Sequence, residues 1–571
     1  MKDLDTFEEL FSRFTRTIPT KGKYRTRLLE EVELIVKHRF VKHFVRVHQI
    51  LELAKDFPHI TRGSAGCSLV CYLMGISDVD PVAENIPLAR FINPKREDLP
   101  DIDLDFPHWA QPIVMDRIYK HWPRQSARVS NFVTFKPKSA LREACKRLGA
   151  EHRDLGKNFR VEKVLPGKES EARRIAKKIE GKKNYISKHC GGVLIFDRKI
   201  PKSLLNAENQ ILLDKYEIED LEHFKIDVLA NRGLSQLWDI SGKTPLEYPH
   251  DDLATARLLQ SGDVLGVTQA ESPTMRRLFR AIRVESRDDC TFATALVRPV
   301  AVSGRKRASF FNDWSKESFA DTTVYEDDAI TRISEMLGCS HYEADMWRRA
   351  FAKKDEESVM EFYELLGSHP RKQEIIQDLR GLSGFGICRA HAINLGRLIW
   401  ALAYEKAHNP KRFWESCINH CQGSYKKWVH KREALLADAL GNQPGIYDPI
   451  DEFKRIGYWT SKEFLPNCWL DRYDERRASF CGLVATSRIF RNEQGYVTFV
   501  TLGVGNNKYI DVVLQDAYDA KRKTLPILTG TGFFRTTNNT EYVDCKQYSG
   551  LTVDQLEYDY AEPEYPIKIA A

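Results

Sequence analysis

The chain has 571 residues, 42% of them hydrophobic and 29% charged, with 87 basic against 80 acidic side chains for a net charge of +7. That length exceeds what one hydrophobic core sustains and predicts several structural units, while the composition excludes a fibrous or intrinsically disordered chain. No apolar run reaches the roughly 18 residues that span a bilayer, and the acidic first turns (Asp3, Asp5, Glu8, Glu9) are unlike a secretion signal, so a cytoplasmic chain is expected.

Apolar residues recur at helical spacing from about Lys23 to Phe57 (Leu28, Val32, Ile35, Val36, Phe40, Phe44, Val47, Ile50, Leu51), which predicts two helices ending by Pro58. Arg62-Gly63-Ser64-Ala65-Gly66-Cys67-Ser68 then reads as a tight small-residue loop entering a helix at Leu69–Met74. Such a loop suits a phosphate, through backbone N–H groups and the positive helix end, and equally suits close packing.

Pro100-Asp101-Ile102-Asp103-Leu104-Asp105-Phe106 alternates carboxylates with apolar residues at a period of two. A strand would place all three carboxylates on one face, where like charges repel unless a cation sits among them, and hard divalent ions such as Mg²⁺ or Mn²⁺ suit clustered oxygens. A calcium loop fails on spacing, because Phe106 and Pro112 stand where the turn glycine and the twelfth-position Glu belong. A solvated strand edge is the plainer alternative.

Residues 128–199 read as helices rich in Lys and Arg followed by a buried strand, Gly191–Phe196. Glu222 to Leu229 reads as an apolar strand around one carboxylate, Asp227, which must be paired or functional if buried. From Asp252 to about Glu463 the pattern is mainly helical. After Ser479 it alternates (Phe480–Ala485, Tyr496–Val504, Tyr509–Leu514, Ile527–Phe534), which suggests a small nucleic-acid-binding barrel.

The 12 cysteines form no paired framework, and Cys67/Cys71 and Cys417/Cys421 lack two further ligands at zinc spacing, so reduced thiols are expected. Basic clusters recur at 21–27, 136–146, 173–183, 276–283, 305–307, 348–354 and 426–432. Any one of them is explained equally well as a solvated helix face; interleaved with aromatics, they suit a phosphate-lined channel.

These pieces, in this order, resemble the catalytic core of the bacterial family C replicative DNA polymerases, from about Tyr24 to Asn419. Arg62-Gly63-Ser64-Ala65 through Ser68 resembles the family's Gly-Ser phosphate loop, followed by Gly75-Ile76-Ser77-Asp78-Val79-Asp80-Pro81 and Arg90-Phe91-Ile92-Asn93-Pro94. The 100–106 string resembles the catalytic strand, and Phe224-Lys225-Ile226-Asp227 the segment that supplies the third aspartate. Gly266-Val267-Thr268-Gln269, Ala295-Leu296-Val297-Arg298-Pro299, Ala344 to Ala350 with Lys353-Lys354, and Phe385 to Ala392 resemble the fingers.

The resemblance implies an α+β multidomain fold: a palm with a nucleotidyltransferase-like sheet (1–128 and 201–240), a helical thumb (129–200), helical fingers (241–475), a C-terminal OB-like β-barrel (476–546) and a tail (547–571). It implies a template-directed DNA polymerase that works on primer-template DNA and dNTPs with two Mg²⁺ ions, Mn²⁺ substituting, on Asp101, Asp103 and Asp227. Arg62, Gly63, Ser64, Ser68, Lys225, Arg348 and Lys353 would meet the triphosphate, and Lys136, Lys138, Arg142, Arg276 and His391 the DNA. Lys225 has a snorkelling alternative, His391 a core or capping one, and Asp105 falls outside the catalytic set as a supporting residue. Cys67 departs from a usual glycine, and Lys136-Pro137-Lys138 from a more glycine-like turn. No proofreading carboxylate set and no clamp-binding peptide (Gln555 to Tyr558 matches poorly) are expected, so a sliding clamp or other replisome partner is not evident and a reduced, phage-type enzyme is implied. A catalytically idle paralogue that binds DNA, or another metal-dependent nucleotidyltransferase, are the competing readings.

Overall fold

A computed structural model of the chain describes residues 7–95, 101–156, 159–213, 217–218, 225–298, 324–370, 372–380, 386–420, 430, 469–472, 476–492, 495–504, 509–516, 527–537 and 540–551. Pro100, Phe224, Phe385, the 305–307 cluster, all but His430 of the 426–432 cluster, and the tail beyond Leu551 lie outside them. The described residues fall into two compact units, one drawn from Met1–Leu51, Lys55–Ala110 and Ala230–Ala571, the other from Glu52–Ala54 and Gln111–Leu229.

In the first unit the two expected helices form at Gly22–Lys37 and Val41–Leu53, burying Leu28, Val32 and Ile35 from one and Phe44, Val47 and Ile50 from the other. Each such side chain contributes about 1.5 to 3 kcal/mol. Strand β1 (Ile60–Arg62) pairs antiparallel with β2 (Asp103–Pro107), matching Arg62 to Asp103 and Ile60 to Asp105. β1 runs directly into a 3-10 turn, Gly63–Cys67, and then the helix Leu69–Leu73.

Downstream helices start where the sequence offers a cap: the side chains of Asn231, Asp252, Ser272 and Ser286 each accept from the backbone N–H three residues on. They pack around Arg389–His408, which is apolar nearly all round (Ala392, Leu398, Ile399, Trp400, Leu402) and therefore central. A separate cluster of Ile330, Ile333, Phe351, Phe362 and Leu379 holds the helices Glu326–Leu337, His341–Lys353, Glu356–Leu365 and Lys372–Arg380 together.

The second unit contributes β3 (Ser126–Thr134), β4 (Lys183–Ile195) and β5 (Lys225–Asn231) as far as Leu229, the last two residues of β5 belonging to the first unit; the strands are antiparallel with β4 between the others. Helices Pro137–Arg147 and Glu169–Ile179 bury Ala140, Ala144, Ala176 and Ile179 between them. The expectation of helices across 128–190 is corrected by β3 and by the first half of β4. Lys183–Ile186, Lys188 and Cys190 are exposed, so this half carries no alternation and no apolar run; the ladder to β3 defines it.

The C-terminal strands are β6 (Trp469–Arg472), β7 (Arg477–Asn492), β8 (Gly495–Gly503), β9 (Tyr509–Leu514), β10 (Ile527–Thr537) and β11 (Thr540–Leu551), in the order β10-β11-β9-β8-β7-β6. β10 also pairs with β7, so pairing runs from β7 through β8, β9, β11 and β10 back to β7, with β9 and β11 parallel. Phe480, Val500, Leu502, Val512, Leu514, Leu528 and Val543 fill the interior. Sequence alternation finds four of these strands and misses β6 and β11.

Candidate functional site

The turn after β1 requires a left-handed residue, and Gly63 supplies it with φ of 68°. A Cβ on Gly63 would lie 3.6 Å from Asp103 Oδ2, so the backbone of the Gly-Ser loop and the first strand carboxylate share one end of the hairpin. Ser64 is half-buried there, and the Gly63 carbonyl accepts from Cys388 Sγ at 2.9 Å. Asp101 precedes the strand and is exposed, Asp103 is half-buried, and Asp105 is buried. Both Asp105 oxygens are committed: Oδ1 accepts from Arg62 Nε at 2.7 Å, Oδ2 from Arg62 Nη2 at 2.6 Å and Asn231 Nδ2 at 2.9 Å.

At the start of Leu69–Leu73 the structure puts a protein carboxylate where the sequence reading places a phosphate. Ser68 is fully buried; its hydroxyl caps Cys71 N and donates to Glu31, whose carboxylate also accepts from Leu69 N at 2.9 Å and Val70 N at 3.2 Å. Ser68 is thereby committed within the protein, because Glu31 already satisfies the helix end. Arg27 lies 3.6 Å from the Glu31 carboxylate, and burial pushes the Glu31 acid up despite that partner. Glu31→Ala leaves three buried donors unpaired and is expected to cost about 3 kcal/mol in urea or thermal unfolding. A loss below about 0.5 kcal/mol, the range of neutral surface changes, would contradict this account.

His391 lies in the first turn of Arg389–His408 among positive neighbours. Burial chiefly, then the charges of Arg62 and Arg298, lowers its pKa to about 4, and its Nδ1 is buried with no hydrogen-bond partner among the described residues. The ring is neutral in the folded chain, whereas an unfolded histidine titrates near 6.5. The folded pKa is depressed, so the associated stability is present above pH 6.5 and is lost as pH falls toward 4, by on the order of 3 kcal/mol. The thermal midpoint of the wild type is expected to fall faster over that window than that of His391→Asn; parallel profiles would contradict it.

Two expected phosphate or DNA contacts are buried in ion pairs. Arg348 donates to Asp345 at 2.8 Å and to Glu326 at 3.4 Å, and Glu326 also holds Arg90 at 2.7 Å. Arg276 pairs with Asp511 of β9 at 2.6 Å, which fastens Pro273–Ile282 to the C-terminal sheet. Both sit on buried helix faces that the basic clusters around them obscured. Lys353 is exposed at its helix end, Lys136 and Lys138 are exposed at the start of Pro137–Arg147, and Arg142 donates to the Leu155 and Gly156 carbonyls.

In the second unit, Lys225 and Asp227 point to the same face of β5, and Lys225 Nζ donates to Asp227 Oδ2 at 2.8 Å. Asp227 Oδ1 is buried without a hydrogen-bond partner among the described residues and lies 3.5 Å from His189 Nδ1. That nitrogen accepts from Gly192 N at 2.7 Å and Gly191 N at 3.3 Å, so the proton sits on Nε2 and the ring faces the carboxylate with a lone pair. A Cβ at Gly191 would meet the Val228 carbonyl at 2.6 Å, which is why glycine stands opposite the Asp227 strand.

An orphaned, buried carboxylate oxygen beside a second lone pair fits a hard cation, as do the carboxylate donors of Asp101 and Asp103. Among the described residues no three His, Cys, Asp or Glu side chains gather in metal-binding geometry, and no helix is long and apolar enough to cross a membrane.

Sequence reasoning missed Glu31, His189 and Asn231. Glu31 carries a signal, because it interrupts the buried stripe of Tyr24, Leu28 and Ile35 with a charge; Asn231 signals the helix it caps but not its bond to Asp105, and His189 carries none.

Two family models match in tandem: the bacterial DNA polymerase III alpha NTPase domain over residues 5–230 and the bacterial DNA polymerase III alpha subunit finger domain over 235–373. The DNA polymerase III subunit alpha of Bacillus subtilis (strain 168) is 28% identical over 510 residues, covering 79% of this chain and 44% of that protein. Its counterpart in Staphylococcus epidermidis RP62A is 25% identical over 517 residues, covering 77% and 48%, and the error-prone DNA polymerase of Dechloromonas aromatica 26% over 552, covering 84% and 51%. The chain thus spans about half the length of these relatives. With both models falling on the segments that carry the Gly-Ser loop, the aspartates and the helical cluster, the chain belongs to the family C DNA polymerases as an alpha-subunit-like protein.

Proposed function

We propose that the chain is a template-directed DNA polymerase that adds deoxynucleotides to a primer 3′-hydroxyl with release of pyrophosphate. The observation that carries this reading is the juxtaposition of Gly63 with Asp103, which sets phosphate-binding backbone beside a catalytic-type carboxylate within the family's matched segment. Asp101, Asp103 and Asp227 would hold divalent ions, Mg²⁺ with Mn²⁺ as substitute. Ions bound there supply Lewis-acid stabilisation of the phosphoryl charge and activate the primer hydroxyl.

The protein's own groups bind and orient. Gly63 and Ser64 offer an amide and a hydroxyl to the triphosphate, Arg62 and Lys225 offset its charge, and Lys353 approaches from the helical cluster. Lys136 and Lys138 meet the DNA backbone, with Arg142 bracing their helix. Arg348 and Arg276 act through the carboxylates they hold. We assign the palm to 1–128 and 201–240, the thumb to 129–200, the fingers to 241–475 and an OB-like nucleic-acid-binding barrel to 476–546; the pairing circuit of β7, β8, β9, β11 and β10 supports the last assignment. Extension of a labelled primer on a defined template tests the reading. Elongation that follows template sequence is expected; intact primer-template binding with no extension in Mg²⁺ or Mn²⁺ would overturn it.

A further inference from the structure

Asp105 has the sign and spacing of the two carboxylates assigned to the metal, yet its environment differs. It is 1% exposed, and the guanidinium of Arg62 grips it with two parallel donors. This fork fixes the plane of an arginine as a single contact does not. The third donor, Asn231, is itself anchored, since its Oδ1 accepts from Leu234 N at 3.0 Å and caps Arg232–Ser241. Asp105 is therefore bound to a rigid helix start on one side and aims a half-exposed arginine on the other. Arg62 immediately precedes Gly63, pairs in register with Asp103, and shares its surroundings with His391 and Arg298.

We propose that Asp105 is a positioning residue and not a metal ligand: it holds the Arg62 guanidinium in one orientation at the mouth of the Gly63-Ser64 loop, so that the phosphates of an incoming nucleotide meet a preset cation. The proposal rests on the polymerase reading for the identity of that anion. A merely structural Asp105 would lower stability and leave nucleotide affinity and metal requirement alone, whereas a metal ligand would raise the metal requirement.

The test reads binding and chemistry separately. Affinity for a fluorescent deoxynucleoside triphosphate is measured with Ca²⁺, and the Mg²⁺ half-saturation of primer extension is measured beside it. Asp105→Asn is expected to weaken the nucleotide about tenfold, the value of one charge-assisted contact, and to raise KM while Mg²⁺ half-saturation stays within about twofold. Arg62→Lys, which keeps the charge and loses the fork, should weaken the nucleotide similarly. Arg62→Leu paired with Asp105→Asn leaves no orphaned charge and should bind no more weakly than Arg62→Leu alone, which keeps the test readable if the single aspartate variant misfolds. A Mg²⁺ requirement shifted as in Asp103→Asn, an unchanged nucleotide affinity, or additive losses in the pair would overturn the proposal. A wild type that binds nucleotide yet extends no primer would sink the polymerase reading and leave the binding arms to decide this one. A wild type that binds no nucleotide would overturn it.

Discussion

Asp103→Asn is expected to slow single-nucleotide incorporation by about a thousandfold, equivalent to several kcal/mol of lost charge stabilisation, while primer-template affinity stays within about twofold. The substitution is isosteric, and the strand around it is held by the buried Ile102, Leu104 and Phe106, so the fold has little reason to respond. What changes is one oxygen's charge at the end of the hairpin where Gly63 comes closest. Asp227→Asn should behave alike. Its buried Oδ1 has no hydrogen-bond partner to lose among the described residues, and its bond to Lys225 is weakened without being removed. Rapid-quench incorporation beside fluorescence-anisotropy binding separates the two effects; a fall of less than about tenfold in rate would place the essential charge elsewhere.

Arg276→Met is expected to destabilise the chain by about 3 to 5 kcal/mol, because Asp511 would be left charged and buried, with Thr501 Oγ1 still donating to it at 2.8 Å but no cation paired to it among the described residues. The paired change Arg276→Met with Asp511→Leu should recover most of that loss, since it removes both charges together. Were Arg276 a DNA contact, its removal would instead reduce the salt slope of DNA binding by about one and leave unfolding alone. Urea unfolding and a salt titration of primer-template affinity on the same variant distinguish the outcomes.

The two cases mark what was legible in the sequence. Alternation at 101–106 located β2, and helical spacing located the first two helices, because in both the pattern is imposed by burial. The same alternation could not tell Asp105 from its neighbours, since its distinction comes from Arg62 and Asn231, which lie 43 and 126 residues away. Nor could charge clustering tell Arg276 and Arg348 from solvated arginines, because their carboxylate partners come from other parts of the fold or from the buried face of the same helix. Ser68 read as a phosphate ligand for a sound local reason, a helix start rich in donors; the anion that answers it is Glu31, 37 residues earlier. The exposed half of β4 stayed hidden because a ladder, unlike a core, leaves no mark on side-chain polarity.

The most direct measurement is single-nucleotide incorporation by the wild type opposite each of the four templating bases, with Mg²⁺, beside Asp103→Asn. The complementary deoxynucleotide is expected to be preferred at every template base, and Asp103→Asn to lose this incorporation. Incorporation indifferent to the template base, or equal in the variant, would contradict the polymerase reading.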